Sequence, residues 1–214
     1  MGKEVDLKKG ELSRHVSKAL KAISDGYVIA IPLEHSYAFA CDAFKQDSVR
    51  AMNVLHGSPL FTAAQVLVGS SKTAQGVIRE ITPEISALMK KFWPGLLSLN
   101  LRPQLGLSWD LGDANQLDRI SIRTPKNKFA KALLAESGPL AITSGARIGR
   151  PAPKELSDIF VLHSDLAFQF NSGKLRQGAA TTVVEADAQG VRVLRVGAIS
   201  LAQIQEIVPS ASLI

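Results

Sequence analysis

The chain has 214 residues, 46% of them hydrophobic, enough to bury one large core or two modest ones. A single cysteine, Cys41, excludes an intramolecular disulfide, and no apolar run approaches the roughly 18 residues that a membrane-spanning helix needs. The formal net charge of +6 leaves two readings open, a polyanion partner such as nucleotide, RNA or phosphate, or a mildly basic soluble protein.

The basic residues are dispersed, with no run beyond Lys8-Lys9 or Lys90-Lys91. The opening segment is charged and carries no apolar h-region, so a cytoplasmic protein is expected, and Cys41 in the apolar stretch Ala38 to Ala43 reads as a buried, inert thiol. No Pro/Gly/Ser-rich linker, internal repeat or low-complexity stretch divides the chain, so one domain over residues 1–214 is expected.

Val16, Ala19, Leu20 and Ile23 fall at helical spacing, with Ser13 as candidate cap and Gly26 beyond the end. Tyr27 to Ile31, a β-branched run ended by Pro32, reads as a buried strand leading into a loop. Asp47 to Leu55 reads as a helix capped by Asp47 or Ser48, and Gln65 to Val68 as a strand before Gly69. Thr82-Pro83-Glu84 is a strong helix start, a hydroxyl cap followed by proline at the first helical position and an acid in the first turn. That helix presents Ile85, Leu88, Met89 and Phe92 on one face, and Pro94-Gly95 stops it.

Leu97 to Leu101 and Ile120 to Ile122 are strand candidates, separated by a polar insertion centred on Trp109 to Asp113 and read as exposed turns. Phe129, Leu133 and Leu134 mark a helix ended by Gly138-Pro139. Leu140 to Thr143 then forms a strand entering the loop Ser144 to Gly149. Thr181 to Val184 and Val191 to Val196 are further strands around a turn at Asp187 to Gly190, and a last helix begins at Ser200. Interspersed strands and helices predict an α/β or α+β fold with a mixed, twisted sheet.

Three stretches carry more information than periodicity does. They read IPLEHSYAFACDA from Ile31, FWPGLLSLNL from Phe92, and ISIRTP from Ile120 followed by ITSGARIGRP ending at Pro151. In that order they resemble the YrdC-like family, whose motifs read PT(D/E)TVYG, KGR, WPG(P/A)xT/S, VRxP and TSANxSG. The resemblance covers roughly residues 12–208 and implies a mixed sheet with flanking helices around an open concave cavity. Catalytic members of the family make threonylcarbamoyl-AMP from threonine, bicarbonate and ATP for tRNA modification.

Carried over residue by residue, the resemblance implies substrate contacts at Pro32, Glu34 and Tyr37, and nucleotide contacts at Arg123, Ser144, Thr182 and Arg195. ATP enters as a substrate, with Mg2+ by resemblance only, and no residue is assigned as catalytic. Several polar positions of the family are altered here. Leu33 stands where a threonine is usual, and it brings no hydroxyl to a polar substrate. His35 replaces the next threonine and reads either as a ligand contact or as a solvated residue. His56 and Ser58 replace the lysine and arginine that would hold a triphosphate, a task a hydroxyl does not perform. Ala146 and Ile148 replace an amide and a hydroxyl, although Arg147 and Arg150 add charge beside them. Trp93 reads as core rather than as a nucleotide-stacking ring.

Two functions therefore stand after the sequence alone. One is threonylcarbamoyl-AMP synthesis, weakened by the missing cations. The other is a non-catalytic relative that binds nucleotide (ATP or AMP), tRNA or double-stranded RNA, since one scaffold hosts either.

Overall fold

A computed structural model gives the structure of residues 2–107, 109–114, 116, 118–159 and 166–214. The chain opens with strand β1 (Lys3–Asp6) and helix α1 (Leu12–Ser24), followed by the hairpin β2 (Ile29–Pro32) and β3 (Tyr37–Asp42). Helix α2 (Gln46–His56), strand β4 (Gln65–Leu67), helices α3 (Ser71–Val77) and α4 (Pro83–Phe92), and strand β5 (Leu97–Leu101) come next. Then follow β6 (Ile120–Arg123), α5 (Lys128–Ser137), β7 (Leu140–Ser144), β8 (Phe168–Asn171), β9 (Thr182–Asp187), β10 (Gly190–Arg195), α6 (Leu201–Gln205) and β11 (Ser212–Leu213).

The strands hydrogen-bond into one sheet in the order β1-β8-β2-β3-β7-β4-β6-β5-β9-β10-β11. Parallel pairs such as β4 with β6 alternate with antiparallel ones such as β3 with β7, so the expected mixed α/β sheet is present. Side-chain alternation splits the core in two. Tyr37, Phe39 and Cys41 of β3 face a layer that includes Val49 and Met52 of α2 and Leu88 of α4. Ala38 and Ala40 face the other layer, where Val16, Ala19 and Ile23 of α1 meet Phe129, Leu133 and Leu134 of α5.

Several local expectations hold, and others shift by a turn. Thr82 caps α4, accepting from the Ile85 amide at 3.4 Å, with Pro83 and Glu84 in the first turn. Ser200 opens α6 with a capping box to Gln203. Helix α1 instead starts at Leu12 with Glu11 at the cap position, which places Ser13 inside it, where its carbonyl accepts from the Ser17 hydroxyl. Helix α2 begins after Lys45 rather than at Asp47 or Ser48. Strands β1 and β11 and helix α3 carry too few apolar residues to be read from periodicity, and β8, where Phe168 and Phe170 alternate with Gln169 and Asn171, is an addition to the expected strands. The insertion at Trp109 to Asp113 is also not an exposed turn. Trp109, Leu111 and Asp113 are buried, with Trp109 stacked on Phe44 at a ring separation of 5.3 Å.

Strand β8 inserts between β1 and β2, whereas β9, the next strand in sequence, lies beyond β5. Six strands separate the two, a span along the sheet of about 34 Å at about 4.8 Å per spacing. The connection from Asn171 to Thr182 reaches at most about 40 Å. Residues 172–181 therefore run from one side of the sheet to the other, and Gln177 to Thr181 form a wall of the site described next.

Candidate functional site

A cavity of about 500 Å³ opens on the α1/α5 face of the sheet, at the margin of that core layer. Leu33, Ala38 and Ile142 belong to both the layer and the cavity wall. Its rim comes from the β2–β3 turn (Leu33 to Ser36), the end of β6 (Arg123), the end of β7 (Thr143 and Ser144), residues 151–154, and the segment Gln177 to Thr181, with Arg195 of β10 beside it. The volume suits a small-molecule ligand.

Arg123 anchors this cavity. Only 3% of its surface is exposed, and its Nη1 donates to Glu34 Oε2 at 2.9 Å and to the Gly95 carbonyl at 3.2 Å. The second Glu34 oxygen accepts from the Lys126 amide. The tryptophan–proline–glycine element thus serves the site through its backbone. Trp93 packs in the core with its indole N–H on the Leu97 carbonyl, and Gly95 presents its own carbonyl to Arg123. Arg123 Nε is buried without a hydrogen-bond partner among the described residues, in a residue that lines the cavity. Orphaned polar atoms of this kind are what a polar ligand satisfies.

Other predicted residues lie around this centre in different ways. Ser144 lines the cavity, and its hydroxyl accepts from the Ala146 amide at 3.2 Å. Arg195 also lines it, with Nε and Nη2 donating to the Thr181 carbonyl at 3.1 and 3.0 Å and Nη2 to the Thr181 hydroxyl at 2.8 Å. Thr182 is fully buried, donating to the Ile199 carbonyl at 2.6 Å and accepting from the amides of Gly197 and Ile199. Pro32 and Tyr37 pair across the β2–β3 hairpin rather than in a loop. The Tyr37 hydroxyl donates to the Gly173 carbonyl at 2.7 Å and accepts from the Ser172 amide at 3.0 Å, and burial pushes its phenol up from the ordinary value.

Leu33 and His35 are the altered positions that reach the cavity wall. His56 ties α2 to the loop after β7 instead. A carbonyl only accepts, so His56 Nδ1 carries the proton and donates to the Ala146 carbonyl at 2.6 Å, while the His56 carbonyl accepts from the Ile148 amide. Ser58 points back to Asn53 of α2, and Ile148 is exposed between the exposed Arg147 and Arg150. The basic side chains lining the cavity, among the described residues, are Arg123, Lys154 and Arg195, with His35 beside them. No group of three or more His, Cys, Asp or Glu side chains among the described residues is placed to hold a metal ion.

Sequence reasoning missed Gln65, Thr143, Lys154 and the segment Gln177 to Ala180. Gln65 opens β4 and donates to Ser121 on the neighbouring β6 at 3.0 Å and to Ser98 on β5, one strand further, at 2.9 Å. A glutamine at a strand start carries no local signal, because only sheet order brings these hydroxyls to it.

The Sua5/YciO/YrdC family model, described as telomere recombination, matches residues 21–197. The chain belongs to this family. A Mycobacterium leprae protein named putative threonylcarbamoyl-AMP synthase is 33% identical over 205 residues, covering 94% of this chain and 92% of its own. Pyrococcus abyssi Sua5, solved with L-threonine, superposes with a TM-score of 0.88 at 23% identity over 100% of this chain, which spans 62% of the length of that Sua5. Escherichia coli YciO superposes with a TM-score of 0.80 at 20% identity, covering 95% of this chain and 98% of its own. The Sua5/YciO/YrdC architecture is thus shared along the chain. No helix among the described residues is long and apolar enough to cross a membrane.

Proposed function

We propose that the cavity binds threonine together with an adenine nucleotide, and that the protein makes threonylcarbamoyl-AMP from threonine, bicarbonate and ATP. The observation that carries this reading is the convergence of the buried Arg123–Glu34 pair with Ser144 and Arg195 in one open cavity of about 500 Å³. The threonine amine and bicarbonate condense to a carbamate with loss of water. A carbamate oxygen then bonds the α-phosphorus, and pyrophosphate leaves with its electron pair. Mg2+ enters with ATP as part of the substrate. The residual donors of Arg123 and Arg195, with Lys154, supply the positive charge that an adenylate requires.

The triphosphate is the weak point of the reaction. His56 and Ser58 bring no cation to the cavity, and Arg123 and Arg195 are already committed to Glu34 and Thr181. Turnover is therefore expected to be slow beside a family member carrying lysine and arginine at those two positions. Pyrophosphate release from ATP with threonine and bicarbonate measures it. Turnover equal to such a member would show that those cations are dispensable.

The His56–Ala146 bond favours a second reading, a non-catalytic protein that holds an adenylate or RNA without turning ATP over. Calorimetry with AMP, ATP and threonine separates the two. AMP binding with no pyrophosphate release selects the second, and failure of all three ligands to bind overturns both small-molecule readings.

A further inference from the structure

We propose that His35 is a positioning residue that latches residues 172–181 across the cavity as a releasable wall. Its consequence for ligand release rests on the adenylate reading above, whereas the latch rests on geometry alone. The strap is fastened at both ends. The Tyr37 hydroxyl holds Ser172 and Gly173, and Arg195 holds Thr181 with three hydrogen bonds. Leu175 donates its amide to the Lys154 carbonyl at 2.9 Å. From Arg176 to Ala179, among the described residues, the backbone has one tether, His35 Nδ1–H to the Arg176 carbonyl at 3.2 Å.

The next turn of the strap is shaped to the same ring. A Cβ built on Gly178 would lie 2.3 Å from His35 Nε2 and 2.4 Å from both Cδ2 and Cε1, so the imidazole lies directly against the glycine. Gly178 is not in the left-handed region, so a Cβ there would strain no backbone and would have to push the His35 ring aside. Residues 176–180 are exposed, and Gln177 to Thr181 face the cavity. Releasing the His35 hydrogen bond and ring contact therefore leaves the middle of the wall held, among the described residues, by the exposed Lys154 Nζ–Gln177 Oε1 bond at 3.2 Å, while both ends stay fastened. A segment held this lightly opens locally without global unfolding.

Two tryptic sites, Lys174 and Arg176, sit on the strap and report its opening. Cleavage of the native full-length chain is followed by mass spectrometry in His35→Ala, His35→Gln, Gly178→Ala and the His35→Ala/Gly178→Ala double variant. Losing the latch should speed cleavage about fivefold, the share of one hydrogen bond. His35→Ala and Gly178→Ala should each do so. His35→Gln, which keeps a donor, should restore the slow rate. The double variant should cleave no faster than His35→Ala, because the new Cβ then meets no ring.

Equal rates in every variant overturn the latch, as does an additive double variant. Release of AMP, with threonine present, should quicken by the same factor in His35→Ala with its association rate unchanged. Faster cleavage with unaltered AMP release overturns the role as a wall of the site. A wild-type protein that binds no AMP overturns the functional reading, and the cleavage cycle still decides the latch.

Discussion

With 3% of its surface exposed, Arg123 depends on Glu34, itself 12% exposed, for its charge balance. Removing one member of such a pair leaves an uncompensated buried charge, a loss of about 3 kcal/mol, whereas exchanging both for apolar groups is much milder. Glu34→Ala should therefore lower the urea unfolding free energy by about 3 kcal/mol, and Glu34→Leu with Arg123→Met by clearly less. Equal losses would place the Arg123 charge in contact with water.

Cys41 supplies a second test at this scale. Burial, reinforced by the Asp42 carboxylate, pushes its thiol from 9.0 to about 12. The unfolded chain ionises this thiol at lower pH than the folded chain does. The contribution to stability is therefore complete below pH 9.0 and disappears as pH rises towards about 12. Urea midpoints of the wild type should fall over that range more steeply than those of Cys41→Ala. Parallel curves would refute the shift.

Among the elements, the β9–β10 pair carries the fixed end of the strap. Gly197, just after β10, lies so close to the strap's end that a Cβ would sit 2.3 Å from the Ala180 carbonyl oxygen and 2.6 Å from that of Thr181. Both obstacles are backbone, so nothing swings aside. Gly197→Ala should cost about 2 kcal/mol, in the range of overpacked sites, and should pull Thr181 away from Arg195. Thermal unfolding checks the first effect. Nucleotide affinity checks the second, and an unchanged melting temperature would mean that β10 has room to shift. Helix α2 plays a comparable part on the far side, where Gly57 in the left-handed region ends it and His56 hands the Ala146 loop its hydrogen bond.

For the molecule as a whole, the net charge of +6 bears on the RNA-binding reading. Arg147 and Arg150 are exposed on a loop outside the cavity wall. Phosphate contacts release condensed counterions, so affinity for tRNA should fall steeply with salt, and each lost contact should flatten the log–log slope by about one. The double variant Arg147→Ala/Arg150→Ala should thus reduce the slope by about two while leaving AMP binding as it was. A slope unchanged by the double variant would remove those arginines from any RNA contact.

Local chemistry was legible wherever a few neighbouring residues decide the outcome. The hydroxyl–proline–acid start of α4, the capping box of α6, the apolar strands β2, β5 and β7, and the Sua5/YciO/YrdC motifs are all such cases. Caps were legible only in part, since Ser13, Asp47 and Ser48 offer hydroxyls and acids that compete as starts while the observed caps, Glu11 and Lys45, lie two or three places earlier. The roles of the motif residues were decided by tertiary structure. Sheet order carries β8 to one side of the hairpin and β9 to the far side of β5, stretching residues 172–181 over the cavity and giving Tyr37, His35 and Arg195 a strap to hold. The same order brings Gln65 to Ser98 and Ser121, and Glu34 to Arg123 across 89 residues of sequence. The sequence by itself determined the family, the elements and the residue types at the cavity. Which of those residues meet a ligand and which hold the wall depends on long-range pairing, and no short window of sequence encodes that.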